Sequence, residues 1–405
     1  MSAQAVVTHA PPTSKMIQDA ESSLMHVVTR PGQVMTKGRG SYIWDAEGNK
    51  YLDFLQGWAV NCLGHCPPVL IRAITKQAKE LINGSPALYN ARMGELGKLL
   101  TDNSALDKAF FCSTGAEANE GALKLARKYG AKHLDGAFEV ITTWHSFHGR
   151  TLAMMSASGK PNWDGLFDPK VPGFIRVDFN DLEAVRRAIT PRTCAVMVEP
   201  VQGEGGVHVA KEKYLKGLRQ LCDEKGILLI LDEVQTGIGR CGTLFAYEQY
   251  GIEPDIMTLG KGLGGGFPVA ALLAKDEVCV FEAGDQGSTY SSQPLAMAAG
   301  IAVVGEMLKR KIPNRARVRG NALMRKLRAM KKEFGFTDVR GKGLLVGVDL
   351  PKEVAPQVVA QCFEAGLLIN APGPNTIRFM PALTTSSKEI DEMLEIFSKV
   401  LRQLL

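Results

Sequence analysis

One lysine, Lys261, lies in the glycine-rich segment LGKGLGGGFP, between two apolar runs that are typical of buried strands. Burial of a lysine costs free energy, and no acidic residue stands beside this one in the sequence. In an apolar pocket the pKa of a lysine falls, and its neutral amine can attack a carbonyl carbon. The pattern therefore predicts a buried amine for covalent chemistry. A lysine that only binds phosphate or extends to solvent is the alternative.

Two carboxylates, Asp232 and Glu233, end the apolar run that begins at Ile227. At least one of them should point into a cleft, although a cap of a helix or turn is the alternative role. Asp232 lies one strand–helix–strand step before Lys261, and the carboxyl ends of parallel strands meet at one edge of a sheet. We therefore expect the side chains of Asp232 and Lys261 to share that edge.

Two further strand ends carry groups that suit a cofactor. Residues 113–116 lead from an apolar run straight into a helical segment, and free N–H groups at a helix start bind anions. A plain capped turn is the alternative. In WHSFHGRT (144–151), Phe147 can stack on a flat ring and Arg150 can clamp a carboxylate. A core phenylalanine and a surface arginine are the alternatives there.

These four strand ends together supply an amine, a carboxylate that keeps a ring nitrogen protonated, a backbone phosphate cup and a stacking ring. Pyridoxal 5′-phosphate requires this set of groups, and no other common cofactor uses all four. The sequence therefore predicts pyridoxal phosphate as the cofactor, with no metal.

The elements that must position these groups are visible as short apolar runs that alternate with amphipathic stretches. Their continuous apolar character indicates strands buried on both faces, hence an α/β fold with a mainly parallel central sheet covered by helices. The six runs are AFFC (109–112), FEVITT (138–143), CAVMVE (194–199), ILLILD (227–232), DIMTL (255–259) and VAALLA (269–274).

Outside these runs the pattern differs. Residues 41–54 predict a β-hairpin, and the chain after Pro294 predicts a smaller α+β domain whose last helix begins at Ser386. We expect three parts: an N-terminal segment over 1–60 that packs with the small domain, a large cofactor-binding domain over 61–294, and the small C-terminal domain over 295–405.

Composition sets wider limits. The chain has 405 residues, a net charge of +6 and 45% hydrophobic residues, as is ordinary for a globular protein. Eight cysteines without regular spacing suggest reduced thiols rather than a disulfide framework. No signal peptide or membrane-spanning run is evident, so we expect a cytoplasmic protein without a membrane partner.

Three other patterns have plain explanations. The glycines 237, 239 and 242 spell G-x-G-x-x-G but come too late after the strand to open a helix, which argues against a dinucleotide site. Cys62, His65 and Cys66 lack a second ligand pair for zinc. The basic run 309–332 has a helical apolar stripe and predicts a solvated helix face rather than a nucleic-acid surface.

The motifs GAEANE, SFHGRT, VEPVQGEGGV, LDEVQTGIGR, LGKGLGGGFP, GSTY and IRFMPAL resemble those of the class III aminotransferases, which have the fold of the fold-type I pyridoxal-phosphate enzymes. The resemblance extends from about residue 38 to the final helix. It implies a fold-type I transferase that works by ping-pong transamination.

The resemblance also implies a role for each of twelve residues. Lys261 would hold the cofactor covalently and move the proton, and Asp232 would pair with its ring nitrogen. The other cofactor contacts would be Gly115, Ala116, Phe147, Glu199, Gln235 and, from the neighbouring subunit of a homodimer, Thr289. The substrate contacts would be Arg150, Ser288, Arg378 and Glu204, the last pairing with Arg378 when no substrate carboxylate is present.

Within the family, we expect N-acetylornithine as amino donor and 2-oxoglutarate as acceptor, in arginine biosynthesis. Ornithine, succinylornithine and 4-aminobutyrate are the alternative donors. A nicotinamide-dependent dehydrogenase and a non-catalytic binding protein are the alternatives outside the family.

Overall fold

The computed structural model describes residues 13–405. In this range twelve helical segments follow one another in the order α1 (Thr13–Ser23), α2 (Gln56–Ala59), α3 (Pro68–Ala78), α4 (Ala91–Thr101), α5 (Gly115–His133), α6 (Leu152–Ala157), α7 (Leu182–Ala188), α8 (Glu212–Lys225), α9 (Pro294–Lys309), α10 (Ile312–Phe334), α11 (Ala355–Glu364) and α12 (Ser387–Leu404). Short 3-10 turns occur at Pro161–Trp163, Ala246–Tyr250, Lys261–Leu263 and Asp276–Val278.

The same range contains sixteen strands. They are β1 (Met35–Arg39), β2 (Tyr42–Asp45), β3 (Lys50–Asp53), β4 (Lys108–Cys112), β5 (Glu139–Thr143), β6 (Phe174–Val177), β7 (Thr193–Val198), β8 (Val201–Gln202), β9 (His208–Val209), β10 (Leu228–Asp232), β11 (Ile256–Leu259), β12 (Ala270–Ala274), β13 (Asp338–Lys342), β14 (Leu345–Asp349), β15 (Leu367–Leu368) and β16 (Thr376–Phe379).

A seven-stranded sheet in the order β4-β12-β11-β10-β7-β5-β6 forms the centre of the molecule. All six predicted strands are present, and β6 is an additional strand at one edge. Only β12 runs antiparallel, against both β11 and β4. A parallel return would need a crossover of about a dozen residues or more, and the segment between β11 and β12 carries only a 3-10 turn. The prediction of a mainly parallel sheet is confirmed.

Helices cover both faces of this sheet, and strand β10 shows why its sequence is continuously apolar. Leu229 and Leu231 face one hydrophobic cluster, which includes helices α8 and α9. Leu228 and Ile230 face a second cluster, which includes helix α5. Alternate side chains of a strand point to opposite faces, so burial on both faces requires apolar residues at every position.

Smaller sheets flank the central one. The predicted hairpin is formed by β2 and β3, and β3 pairs in parallel with β15 from the C-terminal part of the chain. Strands β13, β14 and β16 form a three-stranded antiparallel sheet. Helix α12 begins with the predicted capping box, in which Ser386 and Glu389 satisfy each other's backbone N–H groups.

The structure also gives the surroundings of the other three sequence patterns. The glycines of the G-x-G-x-x-G sequence lie in turns, not at the start of a helix. His65 contacts Asp53, and Cys62 donates to the backbone of Gly262. Within residues 13–405 there is no group of three potential metal ligands, and no helix has the length and apolar character to cross a bilayer. Helix α10 buries Leu323, Leu327 and Phe334 along one stripe.

Candidate active site

A cavity of about 400 Å³ opens at the carboxyl ends of the parallel strands, within the size range of ligand pockets. Nine of the twelve predicted site residues line it. They are Gly115, Ala116, Phe147, Arg150, Glu199, Glu204, Asp232, Gln235 and Lys261. The fold therefore brings predicted residues from five separate segments of the chain into one cavity.

Lys261 lies just after β11, in a 3-10 turn that begins at Lys261 itself. Its backbone has a φ of 41°, in the left-handed region, which is uncommon for a residue with a side chain. The side chain is surrounded by protein but remains partly accessible through the cavity. Burial lowers its pKa, although the carboxylates of Glu204, Asp232 and Glu199 act in the opposite direction. The amine is thereby biased toward its neutral, nucleophilic form.

Asp232 ends β10, next to β11 in parallel register, so its carboxylate lies at the same sheet edge as Lys261. One oxygen, Oδ2, accepts from Asn119 Nδ2 at 2.8 Å and contacts His148 Nδ1 at 2.8 Å. The other, Oδ1, accepts from the backbone N–H of Val234 at 3.0 Å. Three bonds from separate parts of the chain hold this carboxylate at the cavity wall.

His148 and Asn119 were not predicted as site residues. Burial acts to lower the pKa of His148, but the hydrogen bond and charge of Asp232 outweigh it and the pKa is raised. The other ring nitrogen, Nε2, is buried and has no partner among the described residues. Asn119 also accepts from Thr258 at 2.6 Å, which fixes its orientation. One signal was available: Asn119 lies four residues after Gly115, on the same helix face.

The start of helix α5 forms the predicted anion cup. Thr114 and Glu117 form a capping box, which uses the N–H groups of residues 113, 114 and 117. The N–H groups of Gly115 and Ala116 have no acceptor among residues 13–405 and remain available for a ligand. A Cβ at Gly115 would lie 2.6 Å from Val234 Cγ1, so this position has no room for a side chain.

Arg378 lies in strand β16 and does not line the cavity itself, but it contacts Glu204 and Gln235, which do. Its Nη1 is 2.7 Å from Glu204 Oε1 and 3.4 Å from Gln235 Oε1, and its Nε donates to Asn370 at 3.0 Å. Arg378 is fully buried, and its Nη2 has no partner among the described residues. Burial would raise the pKa of Glu204, but the charges of Arg378 and Lys261 lower it to about 2. Arg378 and Glu204 therefore form a buried ion pair beside the cavity.

Phe147 and Arg150 lie toward the outer side of the cavity. Trp163, which was not predicted, contacts both: its ring is edge-on to Phe147 at 5.8 Å and lies 5.4 Å from the Arg150 guanidinium. Lys160 donates to the backbone oxygen of Glu204 at 2.7 Å. No periodic pattern in the irregular segment 158–163 would have singled out these two residues.

Glu199 lies deeper in the cavity and accepts from the backbone N–H of Phe147 at 3.1 Å. Burial raises the pKa of Glu199, against the opposing charge of His148. A carboxyl group with a raised pKa beside a buried imidazole can hold or release a proton near neutral pH.

The structure does not bring Ser288 and Thr289 into the cavity of this chain. Ser288 lies near helix α5, with its Oγ 3.4 Å from Glu117 Oε1, and Thr289 is exposed. Because the sequence prediction assigns Thr289 to the site of a neighbouring subunit, a single chain cannot bring it to its predicted place.

The groups present fit pyridoxal phosphate. The two N–H groups at the start of helix α5, which have no acceptor among residues 13–405, suit its phosphate. Asp232 supplies a fixed carboxylate for a ring nitrogen, and Lys261 supplies an amine for its aldehyde.

Comparison with known proteins gives a consistent result. The sequence model of the family "Aminotransferase class-III" matches residues 25–401. A curated relative, acetylornithine aminotransferase of Ralstonia nicotianae, is 52% identical over 387 residues, which is 94% of this chain and 97% of the relative. Acetylornithine aminotransferase of Methanocaldococcus jannaschii is 45% identical, over 92% of this chain and 94% of the relative.

Solved structures are similar over nearly the whole chain. Ornithine aminotransferase of Toxoplasma gondii, described with partial occupancy of PLP at its active site, has a TM-score of 0.91 and 32% identity, and covers 96% of this chain and 94% of its own. Acetylornithine aminotransferase of Elizabethkingia anophelis has a TM-score of 0.86 and 32% identity, and covers 97% of this chain and 99% of its own.

Proposed function

The chain belongs to the class III aminotransferases, and from this premise we propose that it transfers the terminal amino group of N-acetyl-L-ornithine to 2-oxoglutarate. The products are N-acetylglutamate semialdehyde and L-glutamate, and the reaction is a step of arginine biosynthesis. The observation that carries the proposal is the Lys261 amine, which shares one cavity with the anchored carboxylate of Asp232.

The residues divide the chemistry among them. When bound, pyridoxal phosphate withdraws electrons from the substrate carbon that carries the amino group. Asp232 keeps the ring nitrogen protonated, because an anionic carboxylate stabilises the cation. Lys261 holds the cofactor and then moves a proton to and from the substrate carbon as general base and acid. The remaining contacts are Gly115 and Ala116 to the phosphate, Phe147 and Glu199 to the ring, and Gln235 to its phenolic oxygen.

Arg378 and Glu204 let one site accept two different substrates. Arg378 presents a planar fork that suits the carboxylate beside the keto group of 2-oxoglutarate. With the ω-amino donor bound, the same arginine would attract the wrong end of the molecule. Glu204 prevents this by holding Arg378 at 2.7 Å. Arg150, farther out, then binds the α-carboxylate of the donor.

N-acetylornithine is favoured over ornithine for two reasons. An acyl group on the α-nitrogen removes a second cation, which the exposed Arg150 would repel. The curated relatives that match 94% and 92% of this chain at 52% and 45% identity are acetylornithine aminotransferases. The dehydrogenase and the non-catalytic protein are set aside, because the family is one of transaminases.

A donor panel tests this proposal. Purified enzyme with saturating 2-oxoglutarate is offered N-acetylornithine, succinylornithine, ornithine and 4-aminobutyrate, and kcat/KM is measured for each. We expect the highest kcat/KM with N-acetylornithine. A higher value with any other donor contradicts the substrate assignment but leaves the class of reaction intact.

Three further features belong to the same proposal. The enzyme works as a homodimer in the cytoplasm, with Thr289 of each subunit completing the phosphate cup of the other and Ser288 reaching the substrate. The chain has three parts, over residues 1–60, 61–294 and 295–405. The pairing of β3 with β15 supports the packing of the first part with the third, and residues 1–12 lie outside the described range. Sedimentation of the active enzyme tests the dimer, and a fully active monomer contradicts it.

A further inference from the structure

A second cavity, of about 670 Å³, lies apart from the active site and shares no lining residue with it. It opens between β1, the start of α3 and the junction of α9 with α10; we call it the basic cavity. Its lining contains five cationic side chains and one carboxylate, which are Lys37, Arg39, Arg72, Arg310, Arg315 and Glu306.

The positive charge of the basic cavity is largely uncompensated. Glu306, in helix α9, forms an ion pair at 3.0 Å with Arg310, the residue that follows the helix. The other four cations have no carboxylate within ion-pair distance in the part of the chain that the structure describes. Lys37 instead lies over the ring of Trp44, at 5.2 Å. Like charges in one concavity repel one another and together attract anions.

A helix start adds a donor to this cavity. Helix α3 begins at Pro68 after Pro67, and no side chain caps it. Neither proline carries an N–H group, and the N–H of Val69 has no acceptor within residues 13–405. All three residues line the cavity. The positive end of the helix dipole therefore points at the same space as the four unpaired cations.

We propose that the basic cavity binds a small molecule with two or more phosphate groups. Three observations select this class. Three of the four arginines, Arg39, Arg72 and Arg315, have no ion pair among the described residues, and their planar forks match phosphate oxygens. A helix start presents an N–H without an acceptor, and the single carboxylate of the lining is already paired. Each phosphate brings close to two negative charges and several acceptor oxygens, so two phosphates match four cations. The volume leaves room for the rest of a phosphorylated metabolite.

Calorimetric titration of the cofactor-loaded enzyme with inorganic pyrophosphate tests the proposal. Saturating 2-oxoglutarate is present throughout, so that the catalytic cavity is occupied, and ionic strength is held constant. We expect one pyrophosphate per chain, with at least about tenfold weaker binding of orthophosphate and of citrate, since fewer bidentate arginine–phosphate contacts form. Absence of binding, or equal binding of citrate, overturns the proposal.

Two charge-matched variants locate the site. Arg72→Gln/Arg315→Gln removes two cations from the cavity, and we expect it to weaken pyrophosphate binding at least about tenfold, because charge-assisted hydrogen bonds are lost. Arg325→Gln/Arg319→Gln removes two cations from helix α10 outside the cavity lining, and binding should stay within about twofold. Equal weakening in both variants means a general charge effect and overturns the site. Lys37→Gln, on a different element, gives an independent check if the first variant does not fold.

Discussion

Asp232 and Glu233 are adjacent in the sequence, and both are almost fully buried, yet their carboxylates have different surroundings. Asp232 ends strand β10, and Glu233 is the next residue. The Asp232 carboxylate contacts Asn119 and His148, which come from other elements, and it lines the cavity. The Glu233 carboxylate accepts from the backbone N–H groups of residues 246 and 247 and from Thr236.

This comparison separates a functional carboxylate from a structural one. Glu233 closes a local loop within its own segment, and burial raises its pKa to about 7. Asp232 is held by side chains that other strands and helices deliver to the sheet edge, and it keeps a face toward a ligand. The partners of a carboxylate, rather than its position in the sequence, decide its role.

The largest loss of activity is expected at Lys261, which lines the same cavity as Asp232. Lys261→Ala should lower turnover by at least about 10³-fold, because both covalent attachment and proton transfer are lost. Lys160→Ala is the matched control, because it removes another amine close to Glu204. Steady-state kinetics of both variants provide the check. Comparable losses in the two variants would show that the lysine assignment is wrong.

The next effect tests the comparison itself. Asp232→Asn should keep the fold and lose about 10²–10³-fold in kcat, because an amide cannot stabilise a protonated ring nitrogen. Glu233→Gln should keep most activity but lose about 1–3 kcal/mol of stability, because a buried acceptor of two N–H groups is replaced by an amide. Kinetics and urea unfolding of both variants separate the roles. The reverse pattern would reverse the assignment of the two carboxylates.

A smaller effect is expected at the ion pair that Arg378 forms with Glu204. Glu204→Ala should raise the rate with glutamate relative to N-acetylornithine by about tenfold, since the freed arginine gains a charge-assisted contact with glutamate. Single-turnover half-reactions with the two donors measure this ratio. The exposed Glu183→Ala serves as control. An unchanged ratio of the two rates in Glu204→Ala would mean that the ion pair of Glu204 with Arg378 has only a structural role, as the Glu233 carboxylate has.

The smallest effect concerns His148, which supports Asp232. Its raised pKa means that the ion pair stabilises the fold fully below about pH 6.5 and is lost as pH rises through the folded-state pKa. His148→Gln keeps a donor but removes the charge. The difference in unfolding free energy between the wild type and this variant should therefore shrink from pH 6 toward pH 9. A difference that grows with pH would mean that His148 is neutral in the folded enzyme.

Much of the site could be predicted because its residues follow buried strands. Continuous apolar runs identified the sheet, and the chemistry of the four strand ends identified the cofactor before any family was considered. The antiparallel direction of β12 was also within reach, because the segment before it is too short for a crossover that includes a helix.

The supporting residues were harder to predict. His148 lies next to Phe147, and nothing in its sequence position says which of the two faces Asp232. Trp163 and Lys160 lie in an irregular segment, so no periodicity indicates their direction. Glu233 shows the converse problem, because its role depends on a loop that returns to it thirteen residues later.

Reduction of the native enzyme with borohydride, followed by peptide mass spectrometry, tests the central claim most directly. A reduced Schiff base fixes the cofactor to the lysine that holds it. We predict a single pyridoxyl adduct on the peptide that contains Lys261, and none on the peptide that contains Lys160. An adduct on any other lysine, or no adduct in an enzyme that turns over, would contradict the account.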